Sequence, residues 1–123
     1  MDHIITHFDI PAADPEALSA FYSNLFGWKI EKIGADPMPY WLIQTAPEGQ
    51  GVGGGIGRKM DPSQRPTNYI LVESIDDFAQ RAVQLGGTLV QPKMEVPGWG
   101  YLALVLDPEG NPVGLWENPE QSE

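Results

Sequence analysis

Two stretches of the chain repeat one another. A polar-capped amphipathic segment that runs into Phe26-Gly27-Trp28-Lys29-Ile30 recurs about sixty residues later as one that runs into Gly86-Gly87-Thr88-Leu89-Val90, and the turn Pro47-Glu48-Gly49 recurs as Pro108-Glu109-Gly110. A supersecondary unit repeated at a fixed offset buries its apolar face against its copy, so the two halves are expected to fold as partners. With 123 residues, 41% of them apolar, there is enough chain for one domain with a proper core and too little for two independent ones. The expectation is a single domain over 1–123, with module one at 1–57, a linker at 58–66, module two at 67–118 and a tail at 119–123. Function is expected in the cleft between the halves.

Composition removes several classes of function. The chain has no cysteine, which rules out disulfides, thiolate zinc sites and cysteine nucleophiles, and leaves any metal to imidazole and carboxylate. A net charge of −10 argues against nucleic acid as a partner, because that affinity rests on neutralising phosphates with Lys and Arg. It favours solubility and cationic ligands instead. No cationic leader with an apolar core and no membrane-length apolar run is seen, so neither export nor a membrane partner is expected and a cytoplasmic protein is the default. Part of the charge lies in the tail from Glu117 to Glu123, which is expected to fray into solvent.

Residues His3 to Ile10 alternate, which as a strand sends Phe8 and Ile10 one way and His7 with Asp9 the other. Asp14-Pro15-Glu16 then opens a helix: Asp accepts from unpaired amides, Pro gives up a donor that has no use there, and Glu suits the positive dipole end. Leu18, Phe21, Tyr22, Leu25 and Phe26 form its core stripe and Gly27 ends it. Strands follow at 28–33, 40–45 and, through a turn, 51–57. The second half repeats this order: a strand at 67–73, a helix capped by Ser74 with Phe78, Ala82, Val83 and Leu85 as its stripe, and strands at 88–91, 101–106 and 112–117. Residues 93–100, with Pro97, Gly98 and Trp99, form a connector. Gly49-Gln50-Gly51-Val52-Gly53-Gly54 matches a dinucleotide fingerprint in letters only, since no helix follows it to receive a pyrophosphate. It is expected to be a bent strand whose missing side chains leave room for a ligand or another backbone. No Gly-x-Ser-x-Gly supports serine hydrolysis.

A doubled βαβββ unit, opened by His7-Phe8-Asp9-Ile10-Pro11 with Phe21-Tyr22 and Phe26-Gly27-Trp28, and closed by Asp107-Pro108-Glu109-Gly110-Asn111 and Leu115-Trp116-Glu117, resembles the glyoxalase, bleomycin-resistance and extradiol-dioxygenase group, the vicinal oxygen chelate superfamily. The resemblance implies an α+β fold in which the two modules form a cup-shaped, partly open β-barrel with the helices outside. It also implies four inward metal ligands, His or Glu, one from the first and one from the last strand of each module. Only His7 matches such a slot. The others fall on Thr67, on Gly53-Gly54-Gly55 and on Gly114, and a lone imidazole does not hold a metal selectively. Asp9 and Glu73 are the carboxylates on offer as substitutes.

The expected site is therefore an acidic, aromatic cup that binds a small organic ligand through His7, Asp9, Thr67, Tyr69, Trp99, Tyr101, Gly114 and Trp116, with a degenerate metal site and no resident cofactor. Glycine at both last-strand slots is expected to clear the floor for a bulky ligand. His7 is the best candidate for a catalytic base. The alternatives are a metal-dependent lyase, isomerase or dioxygenase with an altered site built on His7, and a non-catalytic partner whose value lies in its interface. Like family members of this size, the chain is expected to form a homodimer.

Overall fold

A computed structural model describes residues 1–34 and 39–119. The expected fraying of the tail concerns 120–123, which lie outside the described residues. The element order is β1 (Ile5–Ala12), α1 (Pro15–Phe26), β2 (Lys29–Ile33), β3 (Tyr40–Gln44), β4 (Gly54–Arg58), β5 (Thr67–Leu71), α2 (Ile75–Gln84), β6 (Thr88–Val96), β7 (Gly100–Leu106) and β8 (Pro112–Glu117). This is the expected doubled βαβββ order of an α+β fold. The chain divides into two compact units, one of His7–Pro66 and one that joins Met1–Thr6 to the chain from Thr67 onward. The N-terminal residues belong to the latter through the amide of Leu71, which donates to the Ile4 carbonyl at 3.0 Å.

In the His7–Pro66 unit the strands lie in the order β2-β3-β4-β1, with β1 parallel to β4 and the other neighbours antiparallel. Helix α1 starts where Asp14 Oδ1 accepts from the Ala17 amide at 3.2 Å and Pro15 takes the first position. It stops at Gly27, whose φ of 73° permits the left-handed cap that returns its amide to the Ser23 carbonyl. Leu18 and Tyr22 of α1, with Phe8, Ile10, Trp28 and Ile30, pack on a buried cluster of Ala12, Trp41, Ile43 and Ile56. The outer flanks of the stripe are not covered. Phe21, Leu25 and Phe26 are 55%, 58% and 58% exposed, which corrects the reading that placed them in the core. Phe21 and Phe26 stand at the two edges of the stripe, away from the line of Leu18 and Tyr22, and Leu25 lies in the last turn of the helix. Phe26 instead packs beside Trp28, with ring centroids 5.1 Å apart.

The other unit has the order β5-β8-β7-β6, with β5 parallel to β8. Ser74 caps α2 by accepting from the Asp77 amide at 3.2 Å, and Asp76 and Asp77 suit the positive end. Ile75 and Ala79 are buried with Val72, Ala103, Val105 and Leu115, and Phe78 and Ala82 pack against that cluster. Val83 and Leu85, expected in the stripe, are exposed. Strand β6 runs to Val96, so residues 93–96 are strand rather than connector. Register shifts between Leu89 and Met94 absorb Pro92 in this strand, which pairs only with β7 among the described residues, and that irregularity broke the alternation in the sequence. Glu117 is not part of a frayed tail: its Oε1 accepts from the Ile75 amide at 2.8 Å and its Oε2 lies 3.5 Å from Lys93 Nζ. Among the described residues no helix is long and apolar enough to cross a membrane.

Two outcomes follow from this packing. Ile56→Ala, at a fully buried position, is expected to cost about 2–5 kcal/mol in urea unfolding, and Leu85→Ala less than about 0.5 kcal/mol. In the closing turn, the Asn111 side chain and then the Asn111 amide hold the Asp107 carboxyl below the usual carboxylate range. A depressed folded value means that this contribution is present above the unfolded pKa of about 3.9 and is lost as pH falls through the lower folded value. Asn111→Ala should move the Asp107 titration, followed by carboxyl NMR, back toward the unfolded value.

Candidate functional site

The site grows from the sheet face that α1 leaves open. Alternation puts Phe8, Ile10, Trp41, Ile43 and Ile56 under the helix, so His7 and Asp9 point the other way. Across that open face the register sets Asp9 beside Gly55, Gly55 beside Leu42, and Leu42 beside Glu31, with Gly57, Tyr40 and Ile33 in the next row. Glycine at 53, 55 and 57 leaves the middle of this face as bare backbone. The ring of Tyr40 leans from β3 into that space. A Cβ on Gly55 would overlap the Tyr40 hydroxyl, and one on Gly57 would touch the ring edge at 3.7 Å.

The hydroxyl of Tyr40 meets both polar side chains of β1. It donates to Asp9 Oδ1. With its one proton committed there, its oxygen accepts from His7 Nε2–H at 2.9 Å, which fixes the imidazole tautomer. His7 Nε2 also lies 3.4 Å from Asp9 Oδ1, and both side chains are about one-third exposed, at 31% and 33%. The arrangement is a three-membered hydrogen-bonded cluster, open to solvent on one side, that can orient a polar ligand or pass a proton.

The other unit uses a related device. Tyr69 stands opposite Gly114 in the β5–β8 ladder, and a Cβ on Gly114 would overlap the Tyr69 ring. Thr67, Tyr69, Gly114 and Trp116 share one face by strand parity, and Thr67 and Tyr69 are buried. The Trp116 indole lies against Gly100 and donates to Asn118 Oδ1 at 3.0 Å. Tyr101 is on the opposite face, with Ala103 and Leu115, and carries Lys93 Nζ over its ring at 4.6 Å. There it lines a cleft of about 500 Å³ with Glu73, Lys93 and Glu117. Trp99 sits 55% exposed in the β6–β7 turn. The structure thus groups His7 with Asp9, and Thr67 with Tyr69, Gly114 and Trp116, and it sets Tyr101 and Trp99 apart from the latter group.

The expectation that the glycines clear a floor for a bulky ligand is overturned. Tyr40 fills the space over Gly55, Phe8 that over Gly54, and Tyr69 that over Gly114. Tyr40 itself went unrecognised as a site residue. The available signal was glycine at every second position from 51 to 57, which announces a strand with one bare face and hence a neighbour able to lie on it.

These donors do not fit a resident divalent metal. The last-strand positions carry glycine under tyrosine rings, the first-strand position of the second half carries Thr67, and the carboxylate seen beside His7 among the described residues is that of Asp9. Glu73 is engaged elsewhere, accepting from His3 at 3.0 Å, a bond that holds its carboxyl below the usual range. Among the described residues no group of three or more His, Asp or Glu is placed to share an ion.

The glycines differ in what they tolerate. A Cβ on Gly54 would fall 2.5 Å from the Phe8 carbonyl oxygen, which is backbone and cannot yield, whereas one on Gly55 meets the tip of the Tyr40 side chain, which can move. Gly54→Ala and Gly55→Ala are both expected to destabilise, within about 1–3 kcal/mol in urea unfolding, with Gly54→Ala the costlier. Tyr40→Ala should cancel most of the Gly55→Ala cost, a coupling that a double-mutant cycle reads directly.

Comparison with known proteins identifies the family and the fold. A model of the glyoxalase-like domain matches residues 6–116. The glyoxylase-named CFP32 of Mycobacterium tuberculosis is 28% identical over 119 residues, which cover 89% of this chain and 43% of that protein. The anthracycline biosynthesis protein DnrV of Streptomyces peucetius is 27% identical over 124 residues, covering 89% and 45%. The chain thus spans less than half the length of the curated relatives it matches. Among solved structures, methylmalonyl-CoA epimerase from Mycobacterium tuberculosis superposes with a TM-score of 0.68 at 16% identity over 94% of this chain and 87% of that one, which speaks to the fold alone. The doubled βαβββ order and the family match over nearly the whole chain together make this protein a member of the glyoxalase-like domain family, within the vicinal oxygen chelate superfamily.

Proposed function

We propose that the protein binds a small organic molecule on the face that carries His7, Asp9 and Tyr40, using hydrogen bonds and ring contacts in place of a metal. The observation that carries this reading is the Tyr40 hydroxyl held by both Asp9 and His7 over Gly55. Polar groups that a metal would need are already committed to one another in a form suited to a hydrogen-bonding ligand. Net charge of −10 and the carboxylate of Asp9 beside an aromatic ring favour a flat, cationic guest. The name of one relative, in anthracycline biosynthesis, points to an organic ligand of some size. In the same reading the chain works as a cytoplasmic homodimer, to be checked by light scattering.

A thermal-shift panel of cationic aromatic compounds with matched neutral analogues tests the proposal. A true ligand at a hundred times its Kd should add about 2.7 kcal/mol of stability, and Asp9→Asn should remove most of that gain. The reading fails if no compound stabilises the protein, or if Asp9→Asn and Tyr40→Phe leave the response unchanged. Stoichiometric metal that is lost in His7→Ala would instead favour a metal-dependent lyase, isomerase or dioxygenase built on His7.

A further inference from the structure

His7 Nε2 and Asp9 Oδ1 are 3.4 Å apart. Two protein donors on one four-coordinate divalent ion, each about 2.1 Å from it, stand about 3.4 Å from one another. The pair therefore has the separation of two ligands of a shared cation, and a phenol lies between them. The Tyr40 hydroxyl donates to Asp9 and accepts from the protonated Nε2 of His7, so one neutral group pairs both side chains and, in this arrangement, leaves His7 Nε2 no lone pair for a cation. It reaches that position because Gly55, paired with Asp9 across the β1–β4 ladder, offers no side chain to stop it.

We infer that Tyr40 occupies the seat of a cation between His7 and Asp9, and is the residue that makes this site take organic hydrogen-bonding ligands rather than a metal. The inference rests on the metal-free reading above and goes beyond it by assigning the selectivity to one side chain. Tyr40 acts in two ways. Its hydroxyl consumes the two donors, and its ring denies β4 the place from which a third would come.

Cobalt(II) and zinc(II) titrations of the purified full chain test this, read by visible absorption and calorimetry. The unmodified protein should bind neither ion stoichiometrically. Tyr40→Phe, which frees His7 and Asp9 but keeps the ring over Gly55, should gain no more than weak binding, because the place of a third donor stays filled. Tyr40→Ala should gain weak binding, and Tyr40→Ala with Gly55→Asp, which sets a third donor beside Asp9 on the same face, should bind one ion at least about 100-fold tighter than the unmodified chain. His7→Gln added to that double variant should abolish the gain. Near-ultraviolet circular dichroism establishes that each variant is folded, and Tyr40→Ser provides a second opening substitution should Tyr40→Ala fold poorly. The inference is overturned if folded Tyr40→Ala or Tyr40→Ser, and the corresponding variants with Gly55→Asp, bind no better than the unmodified protein. In that case ligand stabilisation lost in Asp9→Asn would still stand for the binding proposal. One-to-one binding by the unmodified protein through His7 would overturn both.

Discussion

The site depends on a close approach that only glycine allows, the ring of Tyr40 lying on the backbone of β4 at Gly55 and Gly57. Any side chain at Gly55 displaces the phenol, and without the phenol the polar groups of β1 lose their common partner. The rest of the unit serves that geometry. Trp41 and Ile43, the neighbours of Tyr40 on β3, anchor the strand in the core under α1, so the alternation that buries them turns Tyr40 and Leu42 to the open face. The same alternation on β1 buries Phe8 and Ile10 partway and leaves His7 and Asp9 outward. Burial on one face fixes the register that assembles hydrogen bonds on the other, and a slip of one residue would dissolve the cluster.

The two units share one arrangement at the end of the module. At each last-strand position the side chain is absent and a tyrosine from a neighbouring strand lies in its place, Tyr40 over Gly55 and Tyr69 over Gly114. The outcomes differ in exposure. Tyr69 is 8% exposed, while Tyr40 is only partly buried and joins titratable groups that are about one-third open. One tyrosine packs the sheet and the other organises a surface that a ligand can reach, so the repeat that shapes both units does not give them equal chemistry.

Much of the fold was legible in the sequence because its signals are local. Asp14-Pro15, Gly27, Ser74 and the Asp107-Pro108-Glu109-Gly110 turn each specify backbone by capping or by positive φ, and all of them behave as those residues dictate. The alternation on β1 likewise gave the correct face for His7 and Asp9. What was not legible depends on neighbours distant in the chain. Whether Phe21 and Leu85 are covered depends on how much of each helix a sheet can reach. The extent of β6 was hidden because Pro92 sits in a strand with an irregular register. The role of Tyr40 is invisible without knowing that β3 lies beside β4, since its partner His7 is thirty-three positions away in the chain.

Crystals of the unmodified protein grown with excess zinc, with diffraction recorded on both sides of the zinc absorption edge, test the central claim most directly. The expected map shows the Tyr40 hydroxyl between His7 Nε2 and Asp9 Oδ1 with no anomalous peak at that position. An anomalous peak bonded to His7, with the Tyr40 ring displaced from Gly55, would contradict the account.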